Sequence, residues 1–264
     1  MAKRRAIRAP LTNRPLLSAN TRPPPGAMQN LLLAALPPAD LERLLPTLDT
    51  VSLKLKEMLH KPGEHIQYVY FPGGGFGSMV TVLEDGGMVE VATIGREGAL
   101  GVTAVLDGLP PSSASMVQGE SETWYRMPAD TFRAEMAQRG AFYELLTRYS
   151  QALVGFIMQS TACNAVHSVE QRLARWLLMA QDRMGADEFP LTQEFVAMML
   201  GATRPTVTVV AGTLQKAGLI TYHRGRVAVL DREKLEEASC ECYRVTTNLL
   251  RAVTSPGSRA PAAH

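Results

Sequence analysis

Residues 191–230 read LTQEFVAMML GATRPTVTVV AGTLQKAGLI TYHRGRVAVL, and their pattern sets the fold. Thr192 carries the hydroxyl of a helix N-cap, with Gln193 next. Glu194 suits the positive first turn of the helix that follows. Phe195, Val196, Met199 and Leu200 supply its apolar face. Gly201 permits a sharp turn. Thr203 then caps a second helix, with Arg204 and Pro205 in the first turn, where proline is tolerated. Val207, Val210 and Leu214 recur at helical spacing and point to the core. Arg204, Thr206, Thr208 and Thr213 are left outward or at the margin. Gly218 ends the helix. Residues 219–222 and 227–230 are β-like runs flanking a tight basic turn, His223-Arg224-Gly225-Arg226. Helix, turn, helix and basic-tipped hairpin together make a winged helix-turn-helix, whose second helix fits the major groove of double-stranded DNA.

Charge supports this reading locally and hides it globally. The 264 residues carry 27 Lys and Arg against 25 Asp and Glu, a net +2, which argues against a chain built mainly to coat nucleic acid. Residues 195–230, however, contain no carboxylate, while Arg204, Lys216, Arg224, Arg226 and His223 fall within them. A folded segment of one sign suits an anionic polymer. Residues 1–29 hold Lys3, Arg4, Arg5, Arg8, Arg14 and Arg22 with no acid. Removing these six leaves 21 basic residues against 25 acidic ones. With Pro10, Pro15 and Pro23 to Pro25, this stretch reads as a disordered basic tail. Its role is either an arm on DNA phosphates or a solvated extension.

Upstream, Leu41, Leu44, Leu45 and Leu48 follow a helical period, with Pro37, Pro38 and Asp40 as its start. Runs at 65–71, 77–83, 88–94, 115–118 and 122–127 are short, β-rich and separated by turn residues, which predicts an antiparallel β domain. Residues 129–137 read as a short helix. A long helix follows Gly140, in which Phe142, Tyr149, Phe156 and Cys163 repeat every seven residues, with Leu145, Ala152, Gln159 and Val166 in the complementary slots. That spacing predicts a two-helix seam between copies of the chain; one core helix of a monomer is the alternative. A helix over 169–181 and a loop over 184–190 lead into the winged unit. The resulting division is 1–29 basic tail, 30–137 β-roll, 138–168 dimerisation helix, 169–240 winged helix-turn-helix, and 241–264 helix end and flexible tail. The fold class is α+β, with an antiparallel β domain at the N-terminal side that the family resemblance below implies is a jelly-roll-like β-roll.

With these parts in order, residues 30–240 resemble the Crp/Fnr superfamily of bacterial transcription regulators. The resemblance rests on Thr192-Gln193-Glu194, on Leu200-Gly201-Ala202-Thr203-Arg204 through Val207, on residues 214–220, and on the wing Arg224-Gly225-Arg226-Val227, closed by Asp231 and Leu235. It implies a cytoplasmic homodimer that binds double-stranded DNA and addresses RNA polymerase. The DNA-contacting residues it implies are Thr192, Gln193, Thr203, Arg204, Thr206, Thr208, Arg224 and Arg226. Phe142, Leu145, Tyr149, Ala152, Phe156, Gln159 and Cys163 form its expected dimer interface.

The departures narrow what the β-roll and the reading helix do. In the family's commonest recognition helix the Arg is followed by a Glu and later by a second Arg. Arg204 matches the first; Pro205 and Val209 occupy the other two places, so the usual operator is not implied. Cyclic-nucleotide-binding members carry a Glu for the ribose and an Arg for the cyclic phosphate. Val102 and Ser112, with Ser113 beside it, stand there instead. Without a guanidinium, a desolvated cyclic phosphate is poorly compensated, so cyclic AMP is expected to bind weakly or not at all. The oxygen-sensing branch needs clustered N-terminal Cys for an iron–sulfur cluster. The three Cys here are Cys163, Cys240 and Cys242, so no such cluster is expected. Cys240-Glu241-Cys242 is a C-x-C pair whose members would point apart on a helix, and no metal is expected there. His60, His65 and His167 show no ligand spacing; nothing in the sequence selects a haem ligand or forbids one.

The rival functions are weaker on the residues. No P-loop, GxSxG, HExxH or paired Cys–His arrangement points to an enzyme. Gly73-Gly74-Gly75 lacks a following Lys and Ser or Thr and reads as a turn. The alternative is a ligand-sensing or protein-interaction module with impaired DNA binding. Three Cys make no disulfide framework, which predicts a reducing setting. No apolar run nears the roughly 20 residues a bilayer span needs, so no membrane association is expected. The run at 31–36 lies between proline clusters and is no signal sequence.

Overall fold

The computed structural model describes residues 28–84, 86–105 and 108–255. Most of the expected basic tail at 1–29, and the flexible end expected beyond residue 255, lie outside these residues.

Two short helices open the chain, α1 (Leu31–Ala34) and α2 (Pro38–Leu44), followed by a 3-10 turn at Leu45–Thr47. Asn30 caps α1 by accepting from Leu33 N, and its amide donates to the Pro72 and Gly98 carbonyls, pinning this entry segment to the β domain. The β domain comprises β1 (Asp49–Leu53), β2 (Met58–His60), β3 (Tyr68–Pro72), β4 (Phe76–Val82), β5 (Met88–Ile94), the short helix α3 (Val102–Val105), β6 (Ala114–Gly119) and β7 (Ser121–Pro128). They form two antiparallel sheets, ordered β1-β7-β3 and β2-β6-β4-β5. Val69, Phe71, Phe76, Val80, Trp124 and Met127 are buried in this roll. The triple-glycine run is the bend between β3 and β4, as its turn chemistry suggests. Gly75 has φ 64°, and a Cβ there would overlap the Gly119 carbonyl.

Helix α4 (Ala129–Ala137) leads into the long α5 (Ala141–Val166), then α6 (Val169–Met184). Ser168 and Gln171 form a full capping box at the head of α6, which separates the two long helices cleanly. Residues 184–190 are not wholly a loop, because Glu188–Pro190 form strand β8. Then follow α7 (Gln193–Leu200), α8 (Arg204–Lys216), β9 (Ile220–His223), β10 (Arg226–Val229), α9 (Arg232–Ala238) and α10 (Cys242–Thr254). The wing is a three-stranded sheet, β8-β10-β9, rather than a bare hairpin. The C-terminal stretch holds a further helix of 13 residues, and Leu249 of α10 packs near Gly155 of α5.

The heptad on α5 is real, but it faces inward. Phe142, Leu145, Tyr149, Ala152, Phe156 and Cys163 are buried within this one chain. Phe142 meets Phe132 edge to face at 5.5 Å, and the Tyr149 hydroxyl donates to the Ala99 carbonyl at 2.8 Å. Gln159 is half-buried against α10. The expected dimer interface is therefore corrected: these seven residues pack on their own chain. The surface of α5 shows a second stripe, Gln151, Val154, Met158, Thr161 and Ala165, all exposed and again at heptad spacing. Val154 and Met158 are 52% and 67% exposed.

No single helix among the described residues is long and apolar enough to cross a membrane. Helices α7 and α8 satisfy length and composition together, but across a 106° bend.

Candidate nucleic-acid interface

The 106° bend is the helix-turn-helix itself, within the usual range for that motif. Thr192 caps α7, its hydroxyl accepting from Phe195 N at 3.3 Å. Phe195, Val196, Ala197, Met199 and Leu200 bury the inner face. Gly201 closes α7 in the left-handed region at φ 56°. Thr203 caps α8 by accepting from Thr206 N at 3.3 Å, and the two threonine hydroxyls lie 2.8 Å apart. Arg204 and Pro205 fill the first turn. The buried stripe of α8 is Val207, Ala211 and Leu214; Val210 is only half-buried.

That leaves Arg204, Thr208, Val209 and Thr213 exposed on the outer face of α8, with Thr206 half-buried at its start. Val209 is 70% exposed. Thr208 Oγ1 lies 2.7 Å from Gln193 Oε1 and 3.0 Å from the Arg204 carbonyl. Its one proton serves one acceptor at a time, and the Gln193 contact ties the head of α7 to the second turn of α8.

The wing turn is Arg224-Gly225, with φ 48° and 73°. Two positive φ angles in a two-residue loop are the type I′ hairpin geometry, which matches the twist of the strands and lifts Arg224 to the tip. Tyr222 anchors the wing: its N–H donates to Gln215 Oε1 on α8, and its hydroxyl donates to the Leu191 carbonyl at 2.6 Å. Burial pushes the Tyr222 phenol up to about 12, so it stays a donor.

Two features were not legible in sequence. Arg226 pairs with Glu188 on β8 at 2.5 Å, so the stretch free of acid in sequence is not free of it in space. Arg224 is the wing cation left at the tip. Arg172 on α6 reaches the last carbonyl of α7, donating from Nη1 to Leu200 O at 2.9 Å, while the same nitrogen lies 3.2 Å from Asn164 Oδ1. A cation on a helix C-terminus fits the helix dipole. Its only sequence signal is one Arg on the buried side of an amphipathic pattern.

The three β-roll residues at the cassette positions differ in exposure. Val102 is buried at the start of α3, Ser112 is exposed and Ser113 half-exposed. None of them lines the cavity of about 400 Å³ that opens between His65, Tyr68, Leu109, Asp130 and Arg133. His60 packs its ring on Gly101 and places Nε2 2.8 Å from the Tyr68 carbonyl; burial lowers its pKa.

Residues 171–238 match the family model described as a Crp-like helix-turn-helix domain. No curated protein matches the chain significantly. Among solved structures, a Crp/Fnr-family protein from Eubacterium rectale superposes with TM-score 0.62 at 17% identity, over 78% of this chain and 96% of that one. A CRP-family transcriptional regulator from Thermus thermophilus gives 0.57 at 21% identity, over 71% and 95%. The c-di-GMP-responsive global regulator CLP of Xanthomonas campestris gives 0.55 at 15%, over 72% and 98%. Residues 171–238 thus match a Crp-like helix-turn-helix domain, and over about three quarters of the chain the described residues share the fold of solved Crp/Fnr-family regulators.

Proposed function

We propose that the protein is a sequence-specific DNA-binding transcription regulator that acts as a homodimer. The observation that carries this reading is the outer face of α8. A Thr203-capped helix projects Arg204, Thr208 and Val209 beside a wing tipped by Arg224, and all four are exposed. Arg204 suits bidentate contact with guanine, worth about 1–3 kcal/mol of discrimination, and Val209 suits a thymine methyl. The helix N-terminus and Arg224 suit phosphates.

The dimer forms through the exposed stripe of α5, with Val154 and Met158 at its centre. Two copies then present their α8 helices about one DNA turn, or roughly 34 Å, apart. The β-roll responds to an effector other than cyclic AMP, or to none. The placement of Val102 and Ser112 supports this, since neither offers charge to a cyclic phosphate or lines the cavity beside His65. RNA polymerase as partner and a cytoplasmic setting belong to the same reading through the family.

Selection of duplexes from a random-sequence pool by the full-length protein tests it. Enrichment of a two-fold symmetric motif supports the proposal. Recovery of no motif, with binding that vanishes uniformly as salt rises, favours a sensing or interaction module with impaired DNA binding.

A further inference from the structure

Cys163 lies in the last turn of α5 and His167 is the residue that caps it, its backbone N–H donating to the Cys163 carbonyl. Cys240 and Cys242 come from the break between α9 and α10. The expectation that these two point apart assumed a helix through both. In the structure α9 ends at Ala238, Cys240 lies outside either helix, and Cys242 is the first residue of α10. One ligand atom from each of the four residues lies within 4.8 Å of all the others. Cys163 Sγ is 3.5 Å from Cys240 Sγ, and Cys242 Sγ is 3.6 Å from His167 Nδ1. Four ligands placed tetrahedrally at zinc bond lengths sit roughly 3.5–3.8 Å from one another.

We propose that Cys163, His167, Cys240 and Cys242 form a zinc site that ties the end of the long helix to the end of the DNA-binding domain. All three thiols are free and buried, and they form a sulfur cluster apart from the main apolar core. The surrounding groups match the outer ring of such a site. His167 turns Nδ1 to Cys242 while its Nε2 lies 3.3 Å from Glu241 Oε2. A carboxylate on the far nitrogen fixes the tautomer that leaves the near one free to ligate. Gln159 donates an amide N–H to Cys242 Sγ at 3.0 Å. Arg175, itself buried, supplies positive charge to Cys163 and Cys240, which offsets the net negative charge of three thiolates around a divalent ion.

Three thiols that merely fill space would account for the burial. They would not account for a histidine held between a carboxylate and a thiol, or for an amide aimed at sulfur. The donor set also suits one shared ion. A multi-iron cluster spreads its ligands over separate metal corners and needs a wider ring. The site spans the joint at His167-Ser168, between α5 and α6, so a bound ion would set how the DNA-binding domain is carried by the long helix.

The test is metal binding by the full-length protein, purified under reducing conditions. Zinc is quantified by mass spectrometry, then replaced by Co²⁺ after chelation. About one zinc per chain is expected, with the visible bands of tetrahedral Co²⁺ and thiolate-to-cobalt charge transfer. Cys163→Ser and Cys242→Ser should lose those bands. Glu241→Gln keeps all four ligands and the fold, and should weaken Zn²⁺ binding about 10–100-fold in a competition titration. Folded protein that takes up neither Zn²⁺ nor Co²⁺ overturns the proposal. So does binding that survives the Cys163→Ser, Cys242→Ser double substitution, recovery of iron with sulfide, or a Cys163–Cys240 disulfide in the reduced preparation.

Discussion

The indole N–H of Trp176 on α6 donates to Glu90 Oε1 on β5 at 3.0 Å, inside the seam between the DNA-binding domain and the β-roll. Ser78 donates to the other carboxylate oxygen, and Phe76 meets the Trp176 ring edge-on at 6.1 Å. Nearby, Arg183 on α6 reaches the Thr93 carbonyl at 3.1 Å and Glu97 at 2.7 Å. The two domains therefore meet in part through these polar contacts.

Burial raises the Glu90 pKa above its ordinary 4.5, against the opposing pull of Ser78, Arg175, Arg183 and Trp176. A carboxyl with a raised folded pKa favours the native state when protonated. Its contribution is full below 4.5 and declines as pH climbs toward the folded value. Glu90→Gln should remove that decline, so the stability gap between variant and wild type shifts in favour of the variant from acid to neutral pH. Thermal melts across pH check this; parallel curves would contradict it. Trp176→Phe should cost about 1–3 kcal/mol, because it leaves a buried acceptor short of a donor.

If the proposed dimer forms on the exposed stripe of α5, the two stripes separate stability from assembly. Met158→Glu, on the exposed stripe, should yield monomers in sedimentation with the melt of the monomer unchanged. Phe142→Ala, on the buried stripe, should cost about 3–5 kcal/mol in urea unfolding while leaving association intact in the folded fraction. Dissociation by Phe142→Ala with no loss of stability would reverse the assignment.

The cap of α8 has a smaller, local effect. Thr203→Ala removes the acceptor for Thr206 N and should lower stability by about 1 kcal/mol, with Thr203→Ser close to wild type. Equal losses in both variants would mean that the threonine methyl, not the cap, matters.

Much of this was legible in the chain because local rules decide it. Thr192, Gly201 and Thr203 mark the caps and turn of α7 and α8 by their own chemistry, whatever surrounds them. Helix α4 was read at its observed ends for the same reason. What escaped depends on partners distant in sequence. A seven-residue period in Phe142, Tyr149, Phe156 and Cys163 says that a seam exists, but not whether the same chain or another fills it. Strand β2 is three residues long and β1 carries Asp49, Thr50 and Ser52, too little pattern to declare either. The Glu188–Arg226 pair is a matter of strand register, which sets Glu188 opposite Ala228 and Arg226 two residues away along β10. The convergence of Cys163 with Cys240 depends on α10 folding back, 77 residues later.

The central claim is that α8 reads bases while the wing holds phosphate. Fluorescence anisotropy of Arg204→Ala and Arg224→Asn on the selected duplex and on a scrambled one, over a salt series, tests it most directly. Asparagine tolerates the left-handed turn at 224 while removing the guanidinium. Arg204→Ala should lose about 1–3 kcal/mol on the selected duplex and little on the scrambled one, collapsing the preference. Arg224→Asn should weaken both alike and flatten the salt slope by about one unit. An unchanged preference in Arg204→Ala would contradict the account.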